Sequence, residues 1–204
     1  MGLIITANIL LASMLLIVWF LINFYRDPCR RIPEGNNIVS PADGRVIGII
    51  DTKEDEVKIN KGMFGKIKIL TKDISKECYV VSIFMSPFDV HVNRSPIDGV
   101  VKSVKHSEGK FFGAYNLEKS LENEKNEIII QNKRIKVKVI QIAGFLARKI
   151  KCNVKKNQKI NKGDKIGMIV FGSQATLVLP KTVNLIVNIN DKVKAGESII
   201  GVLK

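Results

Sequence analysis

A chain of 204 residues is long enough for one well-cored domain plus an anchoring segment, and too short for two large cores. Its 46% hydrophobic and 25% charged residues exclude a disordered chain, while a net charge of +14, from 33 Lys+Arg against 19 Asp+Glu, directs it to anionic partners. Aromatic residues make up only 6%, too few for the stacking platforms of a single-strand nucleic-acid binder, so the basic excess points to acidic lipid head groups rather than nucleic acid.

Leu3 to Tyr25 contains no Asp, Glu, Lys or Arg, and only Thr6, Asn8, Ser13 and Asn23 interrupt its apolar character. About 20 helical residues at ~1.5 Å each cross a hydrocarbon core of roughly 30 Å, so the run predicts one N-terminal transmembrane helix. Trp19 and Tyr25 lie near its end, where amphipathic rings prefer the interface. Arg26, Arg30 and Arg31 follow, which puts the body on the cytoplasmic side of the cell membrane. A cleaved signal peptide is disfavoured, because no basic residue precedes the run and no small-x-small site closes it. Residues 1–27 are thus read as anchor and flank, and 28–37, with Pro28 and Pro33, as a linker.

From Ile38 to the end the texture is that of a mostly β domain. Short strands are expected at Val46–Ile50, Val57–Ile59, Lys66–Leu70, Tyr79–Met85, Val100–Val104, Glu127–Ile130, Ile135–Ile142, Lys165–Val170, Ala175–Leu179, Leu185–Ile189 and Ser198–Leu203. Phe145–Ile150 and Asn116–Asn123 are the two candidates for short helical turns. Such a series predicts a barrel or sandwich of short, mostly antiparallel strands. Two internal echoes support it. Pro41-Ala42-Asp43-Gly44-Arg45-Val46 parallels Pro96-Ile97-Asp98-Gly99-Val100-Val101, and Ile160 to Gly167 parallels Val193 to Gly201. Both pairs read as turns opening strands, in hairpins similar to those of lipoyl- and biotinyl-type barrels.

Three cysteines, Cys29, Cys78 and Cys152, are scattered, and with two histidines in all they offer no metal-ligand or redox spacing. They read as reduced structural thiols, and no metal is expected. Residues that can carry acid–base or nucleophilic chemistry are few. His91 lies in Phe84-Met85-Ser86-Pro87-Phe88-Asp89-Val90-His91-Val92-Asn93-Arg94-Ser95-Pro96, on an expected strand, and imidazole suits proton transfer near neutral pH. A buried structural histidine has the same signature. Asp43 either orients a base or caps its turn, and His106 is either a second acid–base group or a solvated loop residue. In Val170-Phe171-Gly172-Ser173-Gln174-Ala175 a Gly-Ser pair interrupts an apolar run. By itself this is a bulged strand. The pair is common and alone points no further, although it is also a bond at which the Ser173 hydroxyl can attack the Gly172 carbonyl, given a base to take its proton.

Taken in order, Ser40 to Gly44, Phe84 to Pro96, His106 to Phe111, Gln141 to Ile150, Lys162-Gly163-Asp164 and Phe171-Gly172-Ser173 resemble the phosphatidylserine decarboxylases, in particular the short form that includes the archaetidylserine enzymes. The resemblance covers nearly the whole body, residues 38–204. It implies self-cleavage after Gly172 into a β chain of residues 1–172 and an α chain of 173–204, with Ser173 converted to a covalent pyruvoyl cofactor. It further implies a Schiff base between that group and the substrate amine, and decarboxylation of a serine phospholipid to the ethanolamine phospholipid. By the same likeness Asp43 matches the aspartate that supports cleavage, and His91 the proton donor to the decarboxylated substrate.

One position departs from the pattern. Arg94 stands where long-form members carry a second histidine, and arginine stays protonated. The base for cleavage is then His91 itself or, next, His106, with Arg94 free to hold a carboxylate or phosphate. Phe111 and Phe112 are either core or interfacial residues. Two rival functions remain at this stage: a membrane-anchored lipoyl-like adaptor without catalysis, and a pyruvoyl decarboxylase of a soluble amino acid.

Overall fold

α1 (Gly2–Phe24) is one uninterrupted helix in a computed structural model that describes residues 2–60, 66–107, 124–144, 149–170 and 173–203. Ile4–Phe24 is long and apolar enough to cross a bilayer, and its most apolar window has no residue buried against the body. An isolated helix suits that setting because all its backbone groups bond within the segment. Pro28 bars the helical conformation at Asp27, and the helix stops just before it.

The strands in chain order are β1 (Asn37–Val39), β2 (Gly44–Thr52), β3 (Glu56–Asn60), β4 (Lys66–Leu70), β5 (Cys78–Met85), β6 (Val92–Arg94), β7 (Gly99–Ser107) and β8 (Lys125–Gln131). They continue with β9 (Lys136–Ile142), β10 (Lys149–Cys152), β11 (Lys159–Ile160), β12 (Lys165–Val170), β13 (Ser173–Pro180), β14 (Val183–Leu185), β15 (Lys192–Val193) and β16 (Ile199–Leu203). Eight of them form a curled half-barrel in the order β11-β7-β8-β9-β13-β5-β2-β15. Two three-stranded sheets, β1-β16-β14 and β10-β12-β6, and the β3-β4 hairpin complete the body.

The central strands β9, β13 and β5 are covered on both faces. On β13, Ala175, Leu177 and Leu179 join the main core with Val81, Ile83, Met85, Val137 and Val139. Val178, on the opposite face, packs with Val80, Ile140 and Ile142 under the hairpin residues Val57, Ile59 and Ile69. Burial on two faces explains why these strands read as near-continuous apolar runs rather than alternating ones. Each such aliphatic side chain contributes roughly 1.5–3 kcal/mol.

The sequence echoes are the visible part of an internal twofold repeat. β15 pairs with β2 at Lys192↔Arg45 and Val193↔Gly44, and β11 pairs with β7 at Lys159↔Val100 and Ile160↔Gly99. β16 pairs with β1 and β12 with β6 in matching registers, each with one irregularity. Ser40 Oγ donates to Ala42 O and Ser95 Oγ to Ile97 O, both at 2.7 Å. Asn190 and Asn157 both adopt positive φ, at 77° and 69°. The two repeats also exchange bonds, Val39 N to Pro96 O and Arg94 N to Pro41 O. Glycine is required at both strand starts: a Cβ on Gly44 would strike the Phe84 carbonyl, and one on Gly99 the Gln131 carbonyl.

Several expectations need correction. Lys149 and Ile150 open a strand, so a helical turn over Phe145–Ile150 does not extend to them; 145–148 and all of Asn116–Asn123 lie outside the described residues. The strand expected at Leu185–Ile189 is Val183–Leu185, because the chain must then turn at Asn190 to reach β15. His91 precedes β6 rather than lying on a strand. The short strands β1, β6, β10, β11, β14 and β15, of two to four residues, have no counterpart, or only a fragment of one, in the sequence reading.

Candidate active site

The candidate residues converge on the end of β5. Ser173, the first residue of β13, pairs with Met85, the last of β5, and Gln174 pairs with Phe84. On the other edge of β5, Arg45 pairs with the same Phe84, which puts Asp43 two residues upstream of that pairing. From Met85 the chain enters the 86–91 loop and reaches His91, whose carbonyl accepts a bond from Ile169 N on β12 at 3.3 Å. β12 belongs to a different sheet from β13. The chain thus leaves β12, the strand bonded to His91, at Val170 and resumes at Ser173 on β13, the strand paired with Met85, in a different sheet. Phe171 and Gly172 themselves are outside the described residues.

His91 is fully buried, and its ring stacks on Phe24, the last residue of α1, with centroids 4.1 Å apart and planes inclined 33°. Nδ1 lies 2.9 Å from the Asp89 carbonyl. A carbonyl can only accept, so Nδ1 carries the proton and, in the neutral ring, Nε2 holds a bare lone pair. Nε2 is buried and, among the described residues, has no hydrogen-bond partner. Burial pushes the His91 pKa below its usual 6.5, with the Arg26 charge adding a smaller push, against raising effects from the Asp89 carbonyl bond and charge. The product is a neutral imidazole with its accepting nitrogen exposed to the interior, the form a proton acceptor needs.

Asp43 is 9% exposed. Both its oxygens accept from Arg30 Nη2 at 2.9 Å, and Oδ1 also accepts from Ala195 N at 2.8 Å. Arg94 is committed in the same way: Nη1 donates to Gly163 O at 2.9 Å, and Nη2 to Asp27 Oδ1 at 2.5 Å and Pro28 O at 3.3 Å. Lys165 pairs with the other Asp27 oxygen. His106 sits on β7, half-exposed, with Nε2 3.2 Å from Glu124 Oε1. The segment between helix and body is therefore a clasp. Phe24, Asp27 and Arg30 each hold one of the residues His91, Arg94 and Asp43.

Sequence reasoning missed Phe24, Asp27 and Arg30, because a flank after a membrane helix reads as charge for topology, not as packing. It also missed a buried amide chain. Asn126 Nδ2 donates to Gln141 Oε1 and Gln141 Nε2 to Asn93 Oδ1, both at 2.8 Å, and Asn93 Nδ2 reaches Pro41 O at 3.4 Å. All three amides are fully buried. They tie β8, β9 and β6 to the turn that carries Asp43, and buried polar groups of this kind set one packing by requiring their partners. Asn93 and Gln141 belong to the stretches that carry the family resemblance, which was the available signal. Gln174, beside Ser173, is buried, with Oε1 unpartnered among the described residues.

A family model described as phosphatidylserine decarboxylase matches residues 17–201. The chain belongs to the phosphatidylserine decarboxylase family. A Methanocaldococcus jannaschii protein provisionally named archaetidylserine decarboxylase proenzyme is 43% identical over 184 residues, covering 90% of this chain and 89% of its own. The phosphatidylserine decarboxylase proenzymes of Chlorobium phaeobacteroides and Syntrophus aciditrophicus are 40% and 41% identical, covering 91% and 87% of this chain and 80% and 77% of theirs. Family membership and the stretches around Ser40, His91 and Ser173 thus agree, and the decarboxylase names speak against a non-catalytic adaptor.

Proposed function

We propose that this chain decarboxylates a serine phospholipid head group after cutting itself between Gly172 and Ser173. The observation that carries the reading is the buried Nε2 of His91, unpartnered among the described residues, on a residue bonded through its backbone to β12, the strand that precedes the cut. In cleavage, the Ser173 hydroxyl oxygen bonds the Gly172 carbonyl carbon, His91 Nε2 takes the hydroxyl proton, and the amide C–N bond breaks with a proton passing to nitrogen. Loss of the Ser173 α-proton then expels Gly172 as a free carboxylate, and hydrolysis with release of ammonia leaves a pyruvoyl group on the chain 173–204. Residues 1–172 remain as its partner.

The pyruvoyl carbonyl supplies the electron sink for decarboxylation. The local residues fit it, since a neutral imidazole with an open Nε2 can accept protons in forming the group and return one to the head-group carbon after CO2 leaves. Asp43 acts as a positioning residue: bound to Arg30 and Ala195 N, it fixes the start of β2 beside the end of β5, opposite Ser173. Arg94 braces the linker, with both terminal nitrogens engaged, rather than waiting for a substrate anion. His106, half-exposed and paired with Glu124, is less suited to the base than His91.

Anchoring by α1 with the body on the cytoplasmic side sets this chemistry beside its lipid. Of the arginines behind that orientation, Arg30 is spent on Asp43 and Arg26 on the Asn23 and Phe88 carbonyls, which leaves the charge of Arg31 at the flank. Intact mass of the purified protein tests the proposal. Two chains split after residue 172, the smaller lacking a free amine, are expected, and Ser173→Ala leaves one uncut, inactive chain. An uncut wild-type chain that still decarboxylates would falsify the mechanism, and faster turnover of free serine than of serine phospholipid would overturn the lipid assignment.

A further inference from the structure

Among the described residues, the end of α1 also meets the body at a point outside the clasp that is exposed and apolar. Phe88, 65% exposed, stands at the tip of a tight turn closed by Ser86 N to Asp89 Oδ2 at 2.8 Å and Asp89 N to Ser86 O at 3.0 Å. Its ring meets Phe20 of α1 edge-on, with centroids 6.5 Å apart and planes at 87°. Arg26 Nη2 donates to the Phe88 carbonyl at 2.6 Å, fastening the turn to the helix end. Phe20 lies within the stretch Ile4–Phe24 that is long and apolar enough to cross a bilayer, four residues inside its end. Four residues correspond to about 6 Å along the axis. A ring in edge contact with Phe20 packs beside the last turns of α1, next to the Phe24 that stacks on His91.

We propose that the 86–89 turn is a second membrane contact, with Phe88 inserted among lipid acyl chains beside Phe20. The partner is the phospholipid bilayer itself. A large aromatic ring, exposed to water in the body alone and continuous with the apolar surface of α1, gains burial only from lipid at that depth. Inserting the turn sets His91, three residues on and stacked against Phe24, at the boundary of hydrocarbon and head groups. The head group then meets the proton acceptor while its acyl chains stay in the bilayer. Both α1 and the turn hold the site at that depth, so the helix does more than tether. This inference rests on α1 spanning the membrane and on a lipid head group as substrate.

Trp19 is the chain's one tryptophan, which makes a depth measurement direct. The full-length protein is placed in anionic phospholipid vesicles carrying lipids brominated high on the acyl chain, and its fluorescence is compared with that of Trp19→Phe/Phe88→Trp. Quenching of the variant within about twofold of that of Trp19 is expected, because the two sites lie within about one helical turn of Phe20. A variant that is unquenched by bromolipid while Trp19 is quenched overturns the turn's insertion and leaves the anchor standing. Unquenched Trp19 overturns the anchor and the inference together. Neither result bears on decarboxylation, which intact mass and turnover report separately. A second measurement uses the unaltered protein: a lipid with a photoreactive group on its acyl chain should label the peptide containing Phe88 as well as α1. Labelling of α1 alone overturns the proposal.

Discussion

The two repeats of this fold carry the same turn and put it to different uses. Asp43 and Asp98 occupy equivalent positions, and each accepts one backbone N–H at 2.8 Å, from Ala195 and Lys162 respectively. Asp98 is exposed, and its carboxylate ties its turn to the turn at Lys162. Asp43 is buried under Arg30 and lies next to the strand end that meets Ser173. His91 likewise has an equivalent in Asn36. His91 O accepts from Ile169 N on β12, and Asn36 O from Leu203 N on β16. Yet Asn36 is exposed, while His91 is sealed beneath Phe24. One backbone pattern thus yields a structural turn in one repeat and a candidate site in the other. The difference is what the helix–body segment lays over it.

That comparison can be broken most forcefully at Arg30. Arg30→Ala strands a buried carboxylate, and on an uncut Ser173→Ala background it should lower unfolding stability in detergent by about 3 kcal/mol. Asp98→Ala, which loses one exposed bond, should cost no more than about 1 kcal/mol. Equal losses would mean that the clasp does not distinguish the repeats. Next in size, Asp43→Asn should slow self-cleavage roughly 100-fold, as displacing a positioned group does, with Asp98→Asn within about twofold of wild type. Pulse-chase gels measure both, and matched rates would reduce both aspartates to turn residues.

A smaller effect is confined to His91. Its folded pKa lies below the unfolded 6.5, so below that pH the unfolded chain binds a proton that the folded chain does not. Stability should therefore fall as pH drops beneath 6.5, by at most about 1.4 kcal/mol per unit, until the folded pKa is reached. His91→Gln should abolish that slope in thermal melts. The rate of self-cleavage should fall on the acid side with a midpoint below 6.5. Asn36→Ala, the equivalent change in the other repeat, should shift stability by less than about 0.5 kcal/mol at any pH.

Much of this was legible in the chain. A charge-free run of 23 residues read as a helix long enough to cross a membrane, and the long strands β2, β5, β7, β12 and β13 declared themselves by apolar, β-branched content. The echo of Pro41 to Val46 in Pro96 to Val101 marked the repeat. Strands of two to four residues escaped because a period of two cannot establish itself over so few positions. The buried amides Asn93, Asn126 and Gln141 escaped because a polar residue declares its burial only through partners distant in sequence.

By itself, the sequence determined the membrane-length apolar run, the β class of the body and the family, and it offered the candidate site residues, since those depend on local composition and on motifs in order. Only the tertiary structure set Asp43 apart from Asp98 by burial, left His91 Nε2 without a partner among the described residues, and packed Arg30, Asp27 and Phe24 into a clasp. Burial and pairing are properties of what packs against a residue, and the partners here lie 13 positions away for Asp43 and 67 for both His91 and Arg94.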